Sequence, residues 1–340
     1  MYYEQDRRSR PRKAKRARPR RKHSLLGLLF RLIVFVLIAA VLAAGILYII
    51  PVSWLGRGNG AAVSADSSLP GKVVNVLLLG VDVDGSGTTR SDSMIIASVG
   101  NGTLKLTSLM RDTEVSIPGW KTAKLNAAYA HGGPELAMKT INEAYGLNIT
   151  RYAIVNYASF ADIVDAAGGV TLKITADEAE QINKNMRWQL WREYKAGRIT
   201  KAEGVRFLEQ YNLEKKDYGQ IRLNGQQALG YSRIRKLDSD YARTSRQRKV
   251  LSALMSRAKS LIVNPIGLIG FLTESLKSIE TNMTVPEMMS LGIKGVLSGG
   301  VEQMRLPVQG TFKEGNVNGE WRQHSVDFAA NRRAFIEFVY

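Results

Sequence analysis

VVNVLLLGVDVDGSGTTRSDSMIIASVGNGTLKLTSLMRDTEV, residues 73–115, holds three short apolar runs separated by glycine-rich turns. The first, 73–80, is stopped by Gly80 and has the length and composition of a buried strand. Residues 93–99 and 104–109 predict two further strands, with Gly100, Asn101 and Gly102 forming the turn between them. Moving outward, 124–131 and 134–145 have helical character and are punctuated by Gly132 and Gly133. A strand at 152–156, a helix at 160–167, a turn at Gly168 and Gly169 and a strand at 170–174 follow. Strands alternating with helices predict a central mixed sheet covered by helices, an α/β layered fold. Residues 176–213 read as helical and charged, with Trp188 and Trp191 as packing residues. A helix at 224–230 leads into an extended 231–235. Beyond it come a long helix at 243–263, two helices within 265–297, a strand at 301–310 and a closing helix at 326–339.

Upstream, residues 32–50 read LIVFVLIAAVLAAGILYII, nineteen residues with neither a charge nor an amide. At 1.5 Å per residue they span roughly 28 Å, close to the hydrocarbon thickness of a bilayer. A cleaved signal peptide has a shorter apolar core and small residues at its cleavage site, whereas this run ends in the bulky 48–54. Residues 1–23 carry eleven Lys or Arg against Glu4 and Asp6. By the positive-inside rule the N-terminus is cytoplasmic and the folded part lies across the membrane. The expected organisation is a basic tail at 1–24, a transmembrane helix at 25–50, a small polar linker at 51–71 and a single domain at 72–340. About half of the +18 net charge belongs to the tail, and with no reading motif beside the arginines, nucleic acid is not expected as a partner. The absence of cysteine excludes disulfides, thiolate metal sites and cysteine nucleophiles.

Chemistry concentrates where strands end, because ligands of open α/β sheets gather at the carboxyl edge. Asp82 follows the first strand, and Arg90 and Asp92 stand two apart just before the second, so in extended chain they point the same way. Two carboxylates near an arginine suit magnesium and phosphate. Arg111 and Asp112 end the third strand. The densest cluster is YSRIRKLDSDYARTSRQRKVL, residues 231–251. Arg233 and Arg235 share a face if extended, Asp240 sits where a helix cap belongs, and Arg243, Arg246 and Gln247 fall at spacings of three and four. Arginines brought together repel unless an anion joins them, and their planar forks match phosphate oxygens. Asp82, Asp92 and Asp112 are all candidates for a general base.

The ordered segments VNVLLLGVD, TRSDSMIIASV, LTSLMRDTEVSIPG, KLNAAYAHGG, NYASFADIVDAAGGV, LNGQQALGYSRIR and DYARTSRQRKVL resemble the LytR-CpsA-Psr family of cell-wall glycopolymer ligases over roughly residues 73–254. That resemblance implies an αβα sandwich with a hydrophobic groove or tunnel for a polyprenyl chain. It implies Asp82 and Asp92 as carboxylates for Mg2+, or Mn2+ in its place. Arg90, Arg111, Arg233, Arg235, Arg243 and Gln247 become pyrophosphate contacts, with Asp112, Asp240 and Arg246 in supporting roles. Where the family pattern reads Pro-Arg-Asp, this chain has Met110-Arg111-Asp112. The implied reaction moves a glycan 1-phosphate from an undecaprenyl-pyrophosphate-linked glycopolymer (teichoic acid, capsular or another wall polymer) to a peptidoglycan hydroxyl, the C6 hydroxyl of N-acetylmuramic acid. The implied setting is the membrane of a Gram-positive-type bacterium. An exported lipid-pyrophosphate pyrophosphatase and a noncatalytic regulator of envelope assembly are the alternatives.

Overall fold

A computed structural model describes residues 62–81, 91–214, 216–235, 237 and 239–340. The tail, the expected transmembrane helix at 25–50, Asp82 and Arg90 lie outside the described residues. Among the described residues no helix is long and apolar enough to cross a membrane.

A mixed six-stranded sheet organises the fold. Strand β1 (Val74–Val81) runs antiparallel to β2 (Ser91–Gly100), which runs antiparallel to β3 (Thr103–Leu109). A short hairpin, β4 (Glu114–Ser116) and β5 (Thr122–Lys124), leads into helix α1 (Asn126–Tyr145). Strand β6 (Arg151–Asn156) then pairs parallel to β1. Helix α2 (Tyr157–Ala166) follows, then β7 (Val170–Ile174), α3 (Ala176–Lys195), α4 (Lys201–Tyr211), β8 (Gly219–Leu223) and α5 (Gly225–Ser232). Helices α6 (Asp240–Ser260) and α7 (Pro265–Lys277) precede β9 (Glu280–Thr281), which pairs with β6. Helix α8 (Val285–Val296) leads to β10 (Val301–Leu306), which pairs parallel to β3. The chain ends with the hairpin of β11 (Lys313–Val317) and β12 (Glu320–His324) and with α9 (Phe328–Val339). The strand order is β10-β3-β2-β1-β6-β9.

Alternation along the central strands builds two cores, because successive side chains point to opposite faces. Leu77, Leu79, Met94 and Ile96 face a core that includes Ile141 of α1 and Phe335 of α9. Val74, Val76, Ile95 and Ala97 face a second core with Leu251 and Met255 of α6 and Leu291 of α8. Helices on both faces of the sheet make the αβα sandwich. A third core joins α2, α3, α5 and the antiparallel β7–β8 pair to Val250, Leu254 and Ala258 of α6. Helix α6 therefore carries two apolar stripes, one against the sheet and one against the helical lobe. Gly225 lets the start of α5 approach α2, since a Cβ there would lie 2.1 Å from the Ala161 carbonyl oxygen.

Several expectations are corrected by the structure. The linker read as far as residue 71 is already packed at Val63, which is buried in the first core and whose carbonyl accepts from the Asn142 side chain (2.8 Å). Lys124 belongs to a strand, so α1 starts at Asn126. Residues 231–235 are not extended: α5 continues through Ser232, whose hydroxyl donates to the Ala228 carbonyl (2.9 Å), and Arg233 caps the helix at φ −101°, ψ 1°. Ser239, not Asp240, caps α6, and Asp240 opens its first turn. Trp188 and Trp191 do not pack inside, being about half exposed on α3.

Candidate active site

The start of β2, the end of β3 and the start of α6 meet at Asp92. One Asp92 carboxylate oxygen accepts from Arg111 Nη1 (2.6 Å) and the other from Arg235 Nη2 (2.9 Å). Arg243 Nη2 donates to Asp240 Oδ2 (2.9 Å) and reaches the Asp92 carbonyl (3.4 Å). Arg111 Nη2 lies 3.8 Å from Asp240, and Arg111 Nε lies 3.5 Å from Asp112, which Lys124 Nζ also approaches (3.0 Å). Gln247 follows Arg243 by one helical turn and accepts from the Ser93 hydroxyl (3.0 Å) beside Asp92. The described site thus gathers Asp92, Arg111, Asp112, Arg235, Asp240, Arg243 and Gln247.

Two residues of the expected set turn elsewhere. Arg233 donates to Gln189 (3.1 Å) and stacks over Tyr157 and Trp188, so it faces α3 while Arg235 faces Asp92. Arg246 pairs with the capping-box Glu178 of α3 (2.8 Å) as a nearly buried ion pair and holds α6 to the helical lobe. Three residues beyond Arg243 it stands on the same side of the helix, but its guanidinium turns to Glu178 while that of Arg243 turns to Asp240.

Charge in the cluster is unbalanced. Burial acts to raise the Asp92 carboxyl, but Arg111 and Arg235 outweigh it and hold the group below the usual carboxylate range. Burial acts to lower the Arg111 guanidinium, yet Asp240, Asp92 and Asp112 raise it. Arg243 is the exception. Only 2% of it is exposed, and burial, with repulsion from Arg111 and Arg235, outweighs Asp240 and pushes it down to about 10. Among the described residues its Nε and Nη1 have no hydrogen-bond acceptor. Buried guanidinium donors without acceptors are costly, and an arriving polyanion would satisfy them.

Sequence reasoning missed four residues beside the cluster. Tyr241, Glu314, Trp321 and Gln323 line, with Arg111, Asp112 and Asp240, a pocket of about 210 Å3. The available signal was Asn318-Gly319, a pair that favours tight hairpins. Both residues adopt positive φ (52° and 82°) between β11 and β12.

The chain matches the LytR_cpsA_psr family over residues 57–333. It is 26% identical over 279 residues to the Regulatory protein MsrR of Staphylococcus aureus strain COL, covering 78% of this chain and 74% of that one. It is 31% identical over 245 residues to the Polyisoprenyl-teichoic acid--peptidoglycan teichoic acid transferase TagU of Bacillus mycoides strain KBAB4, covering 70% and 69%. Among solved structures, TagT bound to LIIa-WTA aligns with a TM-score of 0.58 at 25% identity, over 78% of this chain and 89% of that one. YwtF (TagT) with bound octaprenyl pyrophosphate lipid shares the fold with a TM-score of 0.55 at 22% identity, over 79% and 90%.

Proposed function

Because this chain belongs to the LytR-CpsA-Psr family, we propose that it transfers a glycan 1-phosphate from an undecaprenyl-pyrophosphate-linked glycopolymer to a peptidoglycan hydroxyl, the C6 hydroxyl of N-acetylmuramic acid. The observation that carries the reading is the buried Arg243, whose Nε and Nη1 find no acceptor among the described residues beside Arg111 and Arg235. A diphosphate supplies the acceptors and the negative charge that this cluster lacks. The lipid pyrophosphate bound to YwtF and the transferase name of TagU support the same chemistry.

In this reading the acceptor hydroxyl attacks the sugar-bearing phosphorus and gives up its proton to a carboxylate among Asp82, Asp92 and Asp112. A new P–O bond forms, the bond to the bridging oxygen breaks, and undecaprenyl phosphate leaves with the electron pair. Negative charge grows on the phosphoryl oxygens and on the leaving phosphate, and Arg111, Arg235 and Arg243 offset it from fixed positions. Arg90 and Arg233 complete the pyrophosphate contacts, Arg233 by swinging from its stack on Tyr157. The polyprenyl chain occupies an apolar groove or tunnel beside the cluster, and the 25–50 segment tethers the domain to the membrane that holds the lipid, which raises the effective concentration of one for the other.

Asp82 and Asp92 are the proposed holders of Mg2+, with Mn2+ as a substitute. The donor chemistry fits an ion bound through one or two carboxylates and substrate phosphates while it keeps several waters. When bound, the ion supplies positive charge to phosphate oxygens. Asp92 is held ionised for that role by the arginines that flank it.

The test uses the full chain in detergent, with an undecaprenyl-pyrophosphate-linked glycan and peptidoglycan. Glycan becomes attached to peptidoglycan, EDTA stops the reaction, and Arg111→Ala slows it by about a hundredfold. Phosphorylated glycan released free, with none attached, identifies a pyrophosphatase instead. Full activity in Arg111→Ala and Arg243→Ala overturns the arginine cluster as the site.

A further inference from the structure

The pocket beside the arginine cluster has its own construction. Its outer wall is the β11–β12 hairpin, and Gln323, only 3% exposed, pins that hairpin in place. The Gln323 backbone N–H donates to the Asp112 carbonyl (3.0 Å), and its side-chain oxygen accepts from Thr113 (3.1 Å). Its amide nitrogen donates to the Tyr241 hydroxyl (3.0 Å), whose own proton goes to Glu314. The hairpin, the Arg111-Asp112 turn and the first turn of α6 are therefore one hydrogen-bonded piece.

Trp321 stands two residues before Gln323 on the same strand face. It is 54% exposed and has no ring or cation stacked on it among the described residues. An indole held at the mouth of a pocket whose other walls bring together three carboxylates, the Gln323 amide, the Ser239 and Tyr241 hydroxyls, Met110 and the Arg111 guanidinium suits one ligand class. The apolar face of a pyranose covers the ring, and its hydroxyls donate to Asp112, Asp240 and Glu314. Those carboxylates disfavour phosphate inside the pocket, so phosphate stays on the arginine side, with Arg111 at the boundary. A cation is the poorer occupant, since the described carboxylates form no ligating group of three and are already paired with Lys124, Arg243 and Tyr241. At about 210 Å3 the space is below the roughly 300–1,000 Å3 of drug-sized sites and admits a single ring.

We propose that this pocket is a saccharide subsite that seats one neutral pyranose against Trp321, next to the phosphate being transferred. This rests on the phosphotransfer reading above. Either the donor's first sugar or a sugar of the acceptor strand supplies the same ring chemistry.

Three probes separate the cases, each titrated on the full chain in detergent: octaprenyl pyrophosphate, octaprenyl pyrophosphate bearing N-acetylglucosamine, and an N-acetylglucosamine tetramer. Trp321→Ala weakens binding of one or both sugar-bearing probes by about tenfold and leaves bare octaprenyl pyrophosphate unchanged, while Trp321→Phe restores most of the loss. A loss confined to the lipid-linked sugar assigns the ring to the donor, and one confined to the tetramer assigns it to the acceptor. Unchanged affinity for both sugar probes, or equal weakening of all three, overturns the subsite. Failure of the wild-type chain to bind bare octaprenyl pyrophosphate sinks the phosphotransfer reading instead, while the tetramer still reports on the pocket.

Discussion

Replacing Arg243 with methionine separates stability from ligand binding. Burial pushes this guanidinium down to about 10, and a fall of that size is a cost of about 3 kcal/mol on the charged form that a neutral solution requires. The sign follows from linkage: a base whose pKa is lowered by folding destabilises the native state at every pH below the lowered value. Methionine removes that cost and keeps most of the apolar stem. Asp240 then loses its 2.9 Å partner, but it remains a quarter exposed and Arg111 lies 3.8 Å away, a loss of about 1 kcal/mol. Arg243→Met is therefore expected to be about 2 kcal/mol more stable than the wild type. Octaprenyl pyrophosphate affinity falls by about a hundredfold, because the ligand loses donors that sit in low dielectric. Urea unfolding at pH 7 without ligand reads the first effect, and titration with the lipid reads the second. A variant more than about 1 kcal/mol less stable than the wild type, or one that binds the lipid normally, refutes the reasoning.

Arg246→Ala leaves Glu178 nearly buried without its partner and is expected to cost about 3 kcal/mol. A melt unchanged from wild type counts against that pair, and Arg246→Met with Glu178→Leu should recover most of the loss. Gly225→Ala drives a Cβ to 2.1 Å from the Ala161 carbonyl and should destabilise by about 3 kcal/mol or more, so a Tm within a degree or two of wild type would show that the helices part freely. Asp92 has a folded pKa below its unfolded value near 4, so its contribution is complete above that value and is lost as pH falls through the lower one. Urea midpoints of wild type and Asp92→Asn should keep a constant gap from about pH 7 to 5 and converge on further acidification. A gap that widens in acid would reverse the assignment.

The sheet was legible because β1, β2 and β3 are apolar runs closed by turns, and the Gly100 to Gly102 turn falls where glycine and asparagine allow positive φ. The β11–β12 hairpin was not, because EWRQH carries polar groups on both faces and packs no apolar stripe into the sandwich. The arginines were legible as a set but not as individuals. Arg243 and Arg246 are three apart on one helix, yet the partner of Arg246 is Glu178, 68 residues away, and no local spacing encodes it. Arg233 and Arg235 part company because Ser232 prolongs the preceding helix and turns the chain. Choosing Ser239 over Asp240 as the cap is a one-residue shift between two good cap formers.

Three guanidinium groups share Asp92 and the neighbouring Asp240 at a junction between separately packed cores. Such a junction behaves as a compressed spring. A doubly phosphorylated headgroup closes it, and each negative charge that departs gives some of the repulsion back. Loading should slow amide exchange in the opening turn of α6, and conversion of a diphosphate into a monophosphate should loosen the same turn. The protein would then let go of its spent carrier through electrostatics already stored in the fold.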